Sequence, residues 1–518
     1  MFEERRFVAW ARALVVLVGL LLPMPLVSES PCAKCHPKEV EGYARSGMSR
    51  SVGRPANQPG GLVVHEASAS RFSIESDASG MRHRMSRNGR TEEYAVSYFV
   101  GSGHTGRSYL VSRQGYLFQS PVSHYTGRDR WAMSPGYAED PDADFSRPVT
   151  AECLQCHAGR ALPIEGTLNR YEDPPFAEEA ISCDRCHGPS EAHLVEPARR
   201  TIVNPKSLSP RARASVCEQC HLAGEARVPN PGRALGDFRP GMELEDVWSV
   251  YVLERRAGAA AIDMKAVSHT ESLALSACAK SSGDAMWCGS CHNPHEPPAN
   301  AARYYRERCL ACHGDALIAT HASPNGDCVG CHMPKHATTD IAHAAVTDHR
   351  ILRGPEKEPA EAAGQRLRAW REPAAGFRKR NFGLALIEVG ERYRYDLLMQ
   401  RGLSLLSEER ESFPRDPAVL SAIGKALYGR REFAKAASLF ESAAEIEPRK
   451  ADHSLHLGSV YRAMGNTDKA IECLERAIEL DPGQQQAHQG LATLFREAGQ
   501  PEKARNALRR YEEFLNGP

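Results

Sequence analysis

Charge of one sign is missing from this chain, whose 518 residues hold 65 basic and 65 acidic side chains. With no basic stripe and no nucleic-acid-binding motif, DNA and RNA are excluded as partners. A membrane-length apolar run is missing as well. The run from Ala13 to Leu22 is ten residues, too short to span a bilayer as a helix. Arg5, Arg6 and Arg12 precede it, and a Pro-broken stretch with small residues around Ser28 follows. Residues 1–28 therefore read as a secretory signal peptide, with retention as an anchor the alternative. The expected location is periplasmic or extracellular. Spare cysteine is scarce: of 16 cysteines, only Cys278 and Cys473 stand outside one recurring pattern.

That pattern is C-x-x-C-H. It occurs as Cys32, Cys35, His36; Cys153, Cys156, His157; Cys183, Cys186, His187; Cys217, Cys220, His221; Cys288, Cys291, His292; Cys309, Cys312, His313; and Cys328, Cys331, His332. Residues three and four apart are neighbours on a helix surface, so one flat partner can meet both sulfurs and the imidazole. The order is the attachment signature of haem c, with two thioethers to the porphyrin and the histidine on the iron. A zinc site or a disulfide is the alternative, but zinc gives no reason for a histidine after every second cysteine. With histidine at 21 of 518 positions, seven such coincidences have a chance on the order of 10⁻¹⁰. Seven covalent haems are the expected cofactors. Their propionates would make the holoprotein acidic, with arginines as propionate partners, and would suit basic or membrane-bound redox partner proteins.

A second ligand on each iron decides between electron transfer and catalysis, because an empty position admits a small substrate. The candidates are His193, His269, His295, His321, His336, His343 and His349, with His104 and His124 weaker. Each is alternatively a propionate partner or a surface histidine. For the first site, Met48 in "GYARSGMSRS" is a candidate thioether ligand, the alternative being that it packs on the porphyrin edge.

The fold class expected is mainly α: a haem-packed domain over residues 29–350 with a small antiparallel β insertion at about 60–125, a linker at 351–382, and an α-solenoid at 383–518. The β reading rests on short β-rich runs with turns at Asn88-Gly89 and Gln114-Gly115. Six motifs fall within residues 153–332, too little chain for a conventional core, so porphyrins would fill much of the interior. Past the linker a 34-residue period places Ile423, Gly424, Leu427, Ala436, Phe440 and Pro448 in phase with Leu457, Gly458, Tyr461, Ala470, Leu474 and Pro482. This resembles tetratricopeptide repeats, whose stacked helix pairs leave a groove for a peptide or protein.

The blocks "CAKCHPKEVEGYARSGMSRS", "CHGPSEAHL", "CEQCHLAGEARVPNPGR", "WCGSCHNPH" and "CVGCHMPKHATTDIAHAAVTDHRI" resemble multihaem cytochromes of the cytochrome c-552/554 class, in the version fused to C-terminal tetratricopeptide repeats. The resemblance implies a secreted electron carrier. The class includes relatives of haem enzymes acting on nitrite and hydroxylamine, so a redox enzyme with one open iron stays as an alternative, and a protein-interaction scaffold as another. No C-x-x-C-K variant occurs, unlike the lysine-ligated nitrite reductases.

Overall fold

The computed structural model describes residues 30–55, 58–199, 201–254, 264–321, 326–338, 340–341, 345–354 and 366–516. The expected signal segment at 1–28 and the candidate His343 lie outside the described residues. The expectation of a mainly α protein with a small β insertion is overturned: the described residues are 46% helical and 21% strand, with a nearly closed antiparallel sheet in the N-terminal part.

That sheet contains β1 (Val52–Gly53), β2 (Gly61–His65), β3 (Ser70–Asp77), β4 (Gly80–Arg87), β5 (Arg90–Val100), β6 (Arg107–Arg113), β7 (Tyr116–Tyr125) and β8 (Arg130–Met133). Strands β2 to β8 pair in sequence order and β1 pairs with β5. The hairpins form because Asn88-Gly89 and Gln114-Gly115 all take positive φ, the conformation that a two-residue turn matching strand twist requires. Period-two alternation turns Phe72, Ile74, Met81 and Met85 inward. The sheet nearly closes because Trp131 on β8 reaches β2. Its indole Nε1 donates to the Pro59 carbonyl at 2.9 Å, and a Cβ on Gly61 would come within 2.2 Å of its ring. A covered interior with its own aromatic core is a barrel-like domain, not an insertion that leans on haem.

Smaller sheets brace the motif region. β9 (Ala158–Pro163) and β10 (Tyr171–Ala180) form a hairpin after the second motif. β11 (Ala226–Pro229) and β12 (Trp248–Glu254) follow the fourth motif, and β13 (Lys335–Ala337) pairs with β14 (Ala345–Thr347) after the seventh. β15 (Arg366–Ala369), from the segment expected as a linker, joins the edge of β12.

Eight helices complete the described chain in four pairs: Arg378–Tyr393 with Asp396–Glu409, Pro417–Gly429 with Phe433–Ile446, Ala451–Ala463 with Thr467–Leu480, and Gln485–Glu497 with Pro501–Asn516. Small residues set the closeness within a pair. A Cβ at Gly458 would lie 2.6 Å from Leu474 Cγ, and one at Gly424 2.9 Å from Phe440 Cζ.

Both ends of this solenoid dock on the rest of the chain. At its start the buried Arg380 donates to Asp416 and to the Pro229 carbonyl, each at 2.7 Å. Asn381 donates to Asn230 at 2.9 Å and Ser249 at 3.0 Å. Towards its end Tyr116 of β7 donates to the buried Asp481 at 2.5 Å, and Asp481 also accepts from the Leu168 N–H at 3.1 Å. Tyr511 and Leu515 pack into one apolar cluster with Phe72, Phe118 and Tyr137 of the sheet domain.

Candidate haem sites

Each attachment motif occupies a helical turn. The His36 N–H donates to the Cys32 carbonyl at 2.8 Å, and His187 to Cys183 and His292 to Cys288 at 2.9 Å. This i to i+4 bond puts both sulfurs and the imidazole on one side. The sixth motif ends at a kink, where Gly314 takes φ +62°, a value that glycine adopts without strain.

Tertiary structure brings motifs together that sequence separates. All sixteen cysteines are free, and thiols of different motifs meet. Cys32 lies close enough to Cys183 to affect its ionisation, and the same holds for Cys156 and Cys220, Cys217 and Cys288, and Cys309 and Cys328. The proximity of Cys156 and Cys220 holds the first thiol below the usual range and the second above it. The first motif is thus not isolated by the barrel. Its following helix, Pro37–Ala44, packs on the fifth motif's loop, where a Cβ at Gly42 would come 2.7 Å from the His295 carbonyl, and Arg45 pairs with Glu296 at 2.9 Å.

Several candidate distal histidines sit opposite motif histidines. Ring centroids are 5.8 Å apart for His187 and His295, 6.2 Å for His292 and His349, 5.9 Å for His332 and His321, and 5.2 Å for His221 and His269. His269 also lies 5.0 Å from His349, so the His221–His269 and His292–His349 pairs adjoin. An imidazole nitrogen sits about 2 Å from a transition-metal ion, so two rings sharing an ion have centroids about 6 Å apart. The first three pairs match that spacing and the fourth is shorter.

The second ring nitrogen of four of these imidazoles is also held. His187 Nδ1 donates to the Val203 carbonyl at 2.8 Å, His332 Nδ1 to Leu352 at 2.6 Å and His349 Nδ1 to Thr347 at 2.9 Å. A carbonyl oxygen can only accept, so the proton is on Nδ1 and the Nε2 lone pair is available to a metal. His292 Nδ1 meets the Tyr305 hydroxyl at 3.1 Å. Burial holds His221, His292 and His349 below the usual imidazole range and takes His269 down to about 3, with its histidine neighbours adding to the effect. Neutral imidazole is the form a metal requires. His269 Nδ1 and His193 Nδ1 are buried without a hydrogen-bond partner among the described residues, a cost that a bound group would offset. The donor set fits haem iron.

Other candidates are placed differently. His336, on β13, points Nε2 at the buried Asp348, 3.4 Å away. His124 lies 3.3 Å from Asp129, and His104 is on an exposed loop. Met48 opens a 3₁₀ turn and is half-buried. Among the described residues no second imidazole is in ring contact with His36, His157 or His313. Nor does any group of three or more His, Cys, Asp or Glu converge in metal-binding geometry among them, but a haem iron takes at most two side chains. The anchors Val203, Leu352 and Thr347 act through backbone carbonyls, which no residue pattern could announce. Tyr305, four residues before Cys309, offered only its hydroxyl as a signal.

No helix among the described residues is long and apolar enough to cross a membrane. No curated protein matches the chain. Among solved structures, one titled "Crystal structure of MamA" is 24% identical, covers 26% of this chain and 80% of that chain, and has a TM-score of 0.24. Another, "MamA MSR-1 C2", is 22% identical over 25% of this chain and 75% of that one, with a TM-score of 0.23. Likeness of that size carries no argument. Two family models match parts of the chain. Tetratricopeptide repeat covers residues 449–516, the last two helix pairs, and cytochrome c554 and c-prime covers residues 126–188, which hold the second and third attachment motifs. The chain therefore joins a cytochrome c554-type region to tetratricopeptide repeats, which points to haem redox chemistry beside protein interaction.

Proposed function

We propose that this chain is a secreted c-type cytochrome with seven covalent haems that transfers electrons and docks a partner through its repeats. The observation carrying the reading is the set of motif and distal imidazoles about one iron's width apart, with Nδ1 of His187, His332 and His349 held by backbone carbonyls. Bound haem c would supply a one-electron carrier at each site. The chain's residues do the rest. Cysteine pairs would anchor the porphyrins, and His187 with His295, His292 with His349 and His332 with His321 would close three irons against substrate, with His221 and His269 a more closely spaced fourth pair. Contacts between thiols of neighbouring motifs support a closely spaced set. A protein of basic charge, or one at a membrane, fits as redox partner because the propionates add negative charge. Intact-mass measurement after expression with a full haem-attachment system tests the count; five or fewer haems would sink it.

A redox-enzyme reading is favoured by one feature, the exposed motif histidines His36 and His313, which meet no second imidazole among the described residues. An open iron at either would admit a small nitrogen or sulfur compound or peroxide. Low-temperature EPR of the oxidised holoprotein separates the readings. Seven low-spin haems support the carrier, and a high-spin signal supports the enzyme.

A further inference from the structure

A cavity of about 410 Å³ opens at the barrel rim where the 3₁₀ turn of Met48–Arg50 meets the β5–β6 loop. Its polar lining comes from Arg50, Gln58, Ser102, His104, Arg107 and Thr126, with no carboxylate among them. We propose that it is a binding site for an oxyanion of carboxylate or phosphate type.

The two guanidiniums carry the argument. Arg107 Nε is buried and has no hydrogen-bond partner among the described residues. Neither Arg107 nor Arg50 is in an ion pair among those residues. The Arg107 guanidinium is held in place on two sides. It lies 4.2 Å over the Phe99 ring and against Gly103, where a Cβ would be 3.2 Å from Nε. Gly103 takes φ +79°, so both its conformation and its missing side chain serve the approach. Burial and the facing Arg50 lower the Arg107 pKa from its ordinary value, as an uncompensated cation pair requires. Arg50 is positioned by bonds from Nε to the Ser46 carbonyl at 3.2 Å and from Nη2 to the Arg45 carbonyl at 3.1 Å, which leaves Nη1 uncommitted. A planar fork of this kind with no acidic partner is suited to an oxyanion.

Ser51, next to Arg50, ties this wall to the second attachment motif. Its hydroxyl donates to the His157 carbonyl at 2.6 Å, and its own carbonyl accepts from the Gly101 N–H at 2.7 Å. The oxyanion can therefore be a free anion or a propionate of a haem attached there. The site itself rests on its lining alone; only the propionate source depends on the haem reading.

The test uses the holoprotein and its Arg107→Gln and Arg50→Gln variants, with inorganic phosphate titrated calorimetrically in a low-salt buffer free of other oxyanions. A free-anion site gives saturable binding of one phosphate per chain, weakened at least about tenfold in either variant. A propionate-filled site gives no phosphate binding, but Arg107→Gln then shifts one haem's midpoint potential downward, since loss of a nearby cation favours the oxidised form. Arg107→Lys, which keeps the charge, should restore part of either effect and guards against misfolding of the Gln variant. Equal phosphate binding in all variants, or no binding together with unchanged potentials, overturns the proposal.

Discussion

His295 and His187 are distant in sequence yet face each other at 5.8 Å. Replacing His295 with Ala should leave the haem count unchanged while one low-spin EPR signal gives way to a high-spin one. An unaltered spectrum would remove this residue from the ligand set. A second residue-scale effect concerns His456 in the helix Ala451–Ala463, whose pKa burial lowers from 6.5 to about 4. Its ring lies 5.0 Å from Phe440, and the charges facing it are Lys425, Asp452, His453 and Lys450. A base with a depressed folded pKa binds fewer protons folded than unfolded, so its contribution to stability is complete above 6.5 and is lost as pH falls from there towards 4. The urea midpoint of the holoprotein, followed by helical circular dichroism, should fall across that window, and His456→Gln should flatten the fall. The C-x-x-C-H motif could be read at this scale because it is local. The anchors at Val203, Leu352 and Thr347 were not, because a backbone carbonyl has no sequence signature.

Among the elements, the repeat helices are closest to their sequence reading, since the small residues of the 34-residue period fall where helices cross. Gly458→Ala sets two effects against each other. Alanine favours a helix interior by about 1 kcal/mol over glycine, but its Cβ would lie 2.6 Å from Leu474 Cγ and 2.7 Å from Cδ2, an overpacking worth about 1–3 kcal/mol. The clash should prevail, giving a lower melting temperature; an unchanged or higher one would show that Leu474 moves aside. The strand runs were legible one by one, and their turns at Asn88-Gly89 and Gln114-Gly115 behave as expected. Closure of the sheet was not, because it depends on Trp131 reaching Gly61 and Pro59 across the full set of strands.

At the scale of the molecule the solenoid is a brace as well as a docking surface. Tyr116 and Asp481 join it to the barrel inside a buried contact. Tyr116→Phe would leave the carboxylate short of one bond and should destabilise the holoprotein by about 1.5–3 kcal/mol, read from urea unfolding. Ending the chain after Gly354 keeps every attachment cysteine but removes β15 from β12 and uncovers the Phe72–Phe118 cluster. Haem attachment should persist while the barrel melts at a lower temperature; an unchanged barrel transition would show that the brace carries no stability.

Local geometry was set by sequence alone: cysteines at i and i+3 with histidine at i+4 need only one helical turn, Asn-Gly turns need only two residues, and a 34-residue period needs only neighbouring helices. Which imidazole faces which motif, which thiols meet, whether the sheet closes and where the solenoid rests were decided by tertiary structure. Each depends on distant segments arriving together, and burial of rings such as Trp131, Tyr116 and His269 is a property of their assembled surroundings, not of the residues beside them in the chain.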